Sequence, residues 1–125
     1  MHTLKLVRNG RTDQAFAALD SAVADIPEEH RAERQLLLRH AAVLAMGKGK
    51  RDREIEYTKR ALPYSKDYSF AAYNFSQLLL RDGQVDLARR YAVEAYKLSY
   101  RSEAEADRDL VAAIRLQWPS IDTDE

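Results

Sequence analysis

Three histidines, His2, His30 and His40, are the residues best suited to metal or proton chemistry, and their spacing serves neither. A metal pair on a helix needs two ligands four apart, so that both reach one ion from one face. No two of these histidines stand four apart, and the chain has no cysteine to complete a set. The zinc-protease, nucleophile-elbow and phosphate-loop patterns do not occur either. Met46-Gly47-Lys48-Gly49-Lys50 is rich in glycine, but no Ser or Thr follows its lysines. Its glycines read as the end of a helix. We therefore expect no catalysis, no metal and no cofactor.

Charge offers a second chemistry. Lys48, Lys50, Arg51, Arg53, Lys59 and Arg60 crowd one segment, with Asp52, Glu54 and Glu56 among them. A phosphate backbone would use such cations as point charges or forks. The interleaved acids instead fit a solvated helix face with pairs such as Glu56–Arg60. Lysine plus arginine is 20 and aspartate plus glutamate is 20, so the net charge is zero. A dedicated nucleic-acid binder carries a strong basic excess. Nucleic-acid contact through the Lys48–Arg60 region is thus the lesser reading.

The elements that carry these residues are helical. In 125 residues, hydrophobic types make up 46% and charged types 32%, a folded mixture. Four glycines and three prolines leave room for few breaks. The N-terminal residues lack the apolar run of a signal peptide, and the longest apolar stretch, 41–46, is far too short for a membrane span. The expectation is a soluble cytoplasmic protein with no membrane contact. Helical periodicity predicts helices over about 2–9, 12–25, 28–46, 51–62, 67–81, 84–99 and 102–117. Pro63 should stop the fourth and Ser65 or Asp67 should cap the fifth. Residues 119–125 read as an acidic, frayed tail.

The segments repeat. Aligned on Gly10, Gly49 and Gly83, each has an Asp three positions on, at Asp13, Asp52 and Asp86, and an Ala twelve on, at Ala22, Ala61 and Ala95. Gly49 and Gly83 are 34 apart. A glycine allows a left-handed turn, an early Asp suits the helix dipole, and a small residue lets two helices approach. The pattern resembles the tetratricopeptide repeat family, a 34-residue helix–turn–helix unit with small residues in its second helix. Gly10, Ala15, Leu19, Ala22 and Pro27 carry the likeness in the first repeat. Ala72, Phe75, Ser76, Leu79, Gly83, Ala88 and Ala95 carry it in the third. Glu54 departs from it, no first helix has the family's Trp, and the first helix of repeat one is short.

The resemblance implies an all-α, right-handed superhelix over 1–118. Its repeats would span about 1–27, 28–66 and 67–100, giving about three hairpins, with 102–117 as a capping helix. It also implies a concave groove lined from the first helix of each hairpin. In repeat two this gives Leu36, Arg39, His40, Val43 and Met46, and in repeat three Phe70, Tyr73, Asn74, Gln77 and Arg81. Such a lining suits a peptide with apolar anchors and acidic groups. Some family members clamp a peptide carboxylate with five basic and amide positions. Arg39, Asn74 and Arg108 match that pattern, and Val43 and Ala104 do not. The short first helix would leave Phe16, Leu19, Val23 and Ile26 partly uncovered, which points to a homodimer through the N-terminal repeat. The expected function is a non-catalytic adaptor or scaffold for a protein or peptide partner. A chaperone-like or accessory module for an enzyme or a secreted partner is the alternative.

Overall fold

Residues 31–47 and 68–81 hold apolar side chains at helical spacing, and each run ends two residues before a glycine at φ +69° (Gly49) or +80° (Gly83). Both ends close in the same way. The Lys50 and Gly49 N–H groups donate to the Ala45 and Met46 carbonyls at 2.8 and 3.1 Å. The Gln84 and Gly83 N–H groups donate to Leu79 and Leu80 at 2.9 and 3.0 Å. This doubled bonding pattern satisfies helix-end carbonyls and needs a left-handed residue, which glycine supplies without strain. A second helix starts at once after each turn. The computed structural model describes residues 2–102 and 104–121, with the backbone alone for 2–10. Among them are six α-helices and no strand: α1 (His2–Asp25), α2 (Arg31–Gly47), α3 (Arg51–Ala61), α4 (Tyr68–Arg81), α5 (Val85–Tyr100) and α6 (Glu105–Gln117). A 3-10 turn, Leu62–Tyr64, follows α3, where Pro63 cannot continue the α-helical ladder. Asp67 caps α4 by accepting from the Phe70 N–H at 3.2 Å.

The chain forms two compact units, Met1–Tyr64 and Ser65–Glu125. In the first, α2 and α3 form a hairpin and α1 packs on it. Phe16 and Val23 are buried there with Leu38, Ala41, Ala45, Tyr57 and Ala61. Leu19 packs against the same cluster. Phe16 stacks on Tyr57 with ring centres 5.9 Å apart, and the Arg53 guanidinium lies 4.5 Å from the Phe16 ring centre. The Tyr57 hydroxyl donates to Asp20 Oδ1 at 2.8 Å, and Arg60 Nη1 reaches the same oxygen at 3.4 Å. Arg34 ties the end of α1 to α2: its Nε donates to the Ile26 carbonyl at 2.9 Å.

One expectation fails here. Residues 2–25 form one helix rather than two, so the chain makes two hairpins and Gly10 lies inside α1. A helix interior tolerates glycine at about 1 kcal/mol relative to alanine. Asp13 therefore sits mid-helix and Ala22 is exposed, whereas Ala61 and Ala95 are buried. Of the four residues expected to lie uncovered, Phe16 and Val23 are buried against α2 and α3, and Leu19 and Ile26 are half-buried.

In the second unit, α4 and α5 form the other hairpin and α6 closes it. Ala72, Ala92, Ala95 and Tyr96 meet Leu110, Val111 and Ile114 of α6 in one core. The small residues let α4 and α5 approach closely. The tail expectation is also corrected. Ile121 is 2% exposed within this core, and Arg89 Nη2 donates to Ser120 Oγ at 3.3 Å. Burial of one apolar side chain holds this part of an otherwise polar run; residues 122–125 lie outside the described residues.

Candidate functional site

Helix α2 has more apolar residues than its core needs. Leu38, Ala41 and Ala45 point inward. Leu36, Val43 and Met46 repeat at the same helical spacing on the other side and are 58%, 61% and 56% exposed. Arg39 and His40 lie between them in sequence and are exposed too. All five residues expected to line the groove from this helix are therefore on the surface. Leu36 and Val43 are not used as core. The result is an aliphatic and thioether row carrying one fixed cation and one imidazole.

The α4 residues divide. Phe70, Asn74 and Arg81 are exposed. Tyr73 is half-buried and packs against the core of the second unit. Gln77 is tied to α6: it exchanges amide hydrogen bonds with Gln117 at 2.6 and 3.0 Å. Gln77 thus fastens the closing helix, and its partner lies 40 positions on, where no local pattern points to it. Arg108 is exposed on α6 and lines a cavity with Arg101 and Arg115, a wall that does not include Asn74. Arg101 and Arg115 were missed in the sequence. The available signal was spacing, since Arg101, Arg108 and Arg115 stand seven apart.

Of the clustered cations, Arg53 lies on Phe16 and Arg60 on Asp20 and the Tyr57 ring. Burial, with the hydrogen bond to Asp20, pushes the Tyr57 phenol up. A second pocket, of about 300 Å³, has Tyr68, Tyr91, Arg90 and Glu94 in its wall. There the Tyr68 hydroxyl donates to Glu94 Oε1 at 2.8 Å, and burial first, then Glu94, pushes the phenol up to about 12.

Among the described residues, no group of three or more His, Asp or Glu is placed to hold a metal ion. Nor is any described helix long and apolar enough to cross a membrane. Comparison of the chain with protein-family models, curated proteins and solved structures finds no match.

Proposed function

We propose that this chain is a non-catalytic adaptor that binds a partner protein's segment on the outward face of α2. One observation carries the reading: Leu36, Val43 and Met46 stay more than half exposed on a helix whose opposite side already supplies its core. Scattered surface hydrophobes are ordinary, but a row at helical spacing is a docking feature. Arg39 beside the row favours an acidic flank on the partner. The fitting ligand is an amphipathic segment with apolar anchors at i, i+3 or i+4 and i+7, edged by Asp or Glu. The tetratricopeptide likeness belongs to this proposal. It is supported by two hairpins whose glycine turns share one bonding pattern at a 34-residue spacing (83 − 49). A cytoplasmic site of action belongs to it as well, and cell fractionation checks that.

Co-purification of the tagged full chain with mass spectrometry tests the reading. A parallel sample carries Leu36→Ser, Val43→Ser and Met46→Ser. The expected result is a stoichiometric partner that the triple variant loses by tenfold or more, with unchanged helicity and melting temperature. Identical protein sets from both samples would overturn it.

A further inference from the structure

Arg101 stands at the C-terminal cap of α5, and Arg108 and Arg115 stand two turns apart on α6. Together they line a cavity of about 460 Å³, with Ser99, Tyr100 and Ser102 in the same wall. Among the described residues no carboxylate shares that wall. The acids of the first turn of α6, Glu105 and Asp107, lie outside it. Among the described residues, three guanidiniums around one concavity are an excess of positive charge on that wall. A concave wall of one sign focuses the field and draws a counter-ion.

The hydroxyls point the same way. Ser99 is 1% exposed, and its Oγ has no hydrogen-bond partner. A helical serine usually satisfies itself on the carbonyl four residues back, and this one does not. A buried hydroxyl without a partner is costly unless something arrives to accept from it. Ser102 Oγ already accepts from the Ala104 N–H at 3.1 Å, so its own proton is left to donate. Arg115 is held in advance. Its Nε and Nη2 donate to the Tyr96 hydroxyl at 3.2 and 2.9 Å, and its guanidinium lies 5.6 and 5.7 Å from the Tyr96 and Tyr100 ring centres.

We infer that this cavity is an anion site that takes a phosphate monoester, with Arg101, Arg108 and Arg115 as its charge partners and Ser99 as a hydroxyl donor. A carboxylate carries one charge and is satisfied by one guanidinium fork. A phosphate monoester carries about −1.5 to −2 at neutral pH and has three strong acceptor oxygens. Only the latter uses all three arginines and leaves acceptors for the hydroxyls. The cavity exceeds one phosphate group, so part of the organic moiety fits against the Tyr100 ring. A small phosphate ester and a phosphorylated side chain share this chemistry.

Calorimetric titration of the full chain at fixed ionic strength tests the site. The probes are O-phosphoserine, a phosphoserine peptide, its unphosphorylated form and acetate. O-phosphoserine or the phosphopeptide should bind saturably, and more tightly at pH 7.5 than at pH 5.5, because the second phosphate pKa is about 6. Phosphopeptide tighter than O-phosphoserine assigns the group to a partner's side chain; equal affinity assigns it to a small ester. The double variant Arg101→Gln, Arg108→Gln should lose tenfold or more in affinity while melting no lower than wild type, since both replaced side chains are exposed. Ser99→Ala should lose about threefold. Arg115 stays unchanged because it packs on Tyr96. No saturable binding, equal affinity for acetate, or full affinity in the double variant overturns the assignment. The outcome is independent of the α2 face, which belongs to the other unit and plays no part in this titration.

Discussion

Tyr68 shows how one side chain links packing to pH. Its phenol is partly withdrawn from water and donates to the Glu94 carboxylate at 2.8 Å, so ionisation would set two anions side by side. Its folded value of about 12 lies above the ordinary phenol value of about 10. The native state therefore holds the phenolic proton more tightly than the unfolded chain does. The stabilisation is complete below about pH 10 and drains away as pH rises towards 12. The urea midpoint should stay level from pH 7 to 9.5 and fall beyond that, and Tyr68→Phe should flatten the fall. At neutral pH the same variant should cost about 0.5–1 kcal/mol for the lost hydrogen bond. A phenol titrating near 10 by absorbance at 295 nm in every tyrosine would refute this. Sequence register was a good guide to residues of this kind on one helix: Leu36, Arg39, His40, Val43 and Met46 share a surface as their spacing required. It failed where the partner is remote. Gln77 needs Gln117, and the arginine cavity needs a helix cap to bring Arg101 beside α6.

Glycine marks the ends of two elements and not of a third. Gly49 and Gly83 follow helices of 17 and 14 residues, long enough to pack against the helix that returns. Gly10 ends no helix: α1 runs through it for 24 residues. The three sites looked alike as sequence because the glycine, the Asp three on and the Ala twelve on are all present at each. What the pattern omitted was tertiary packing, which decides whether a helix turns back. Opposite responses to one substitution follow. Gly10→Ala should raise stability by about 0.5–1 kcal/mol, since alanine is the better residue inside a helix. Gly83→Ala should lower it by about 1–2 kcal/mol, because φ is +80° there. No heavy atom lies within 4 Å of an added Cβ at Gly83, so that cost is backbone strain alone. Urea denaturation of the two variants separates the readings. A destabilising Gly10→Ala would restore the broken helix that the repeat pattern first implied. Elsewhere the elements were legible, since Asp67, Pro63 and the apolar stripe of α6 act through purely local chemistry.

At the scale of the whole molecule, charge balance and the α2 row act together. With 20 charges of each sign and an isoelectric point near 6.8, net repulsion between copies vanishes close to neutral pH. Short-range attraction then governs how molecules meet in solution. Among the described residues of the first unit, the exposed large apolar side chains are the row Leu36, Val43 and Met46, whereas Leu116 of α6, though 85% exposed, is not part of that row. Static light scattering at low salt should therefore give its most attractive second virial coefficient near pH 6.8, turning repulsive by pH 5 and pH 9. Replacing the α2 row by serines should remove most of the attraction at pH 6.8 and leave the values at the two extremes almost unchanged, because net charge sets those. Leu116→Ser should shift the neutral value much less, since a single exposed leucine offers little area to a second molecule. If Leu116→Ser proves as effective as the triple change, the row has no special adhesiveness. Its exposure would then be ordinary surface, and the adaptor reading would lose the feature on which it rests.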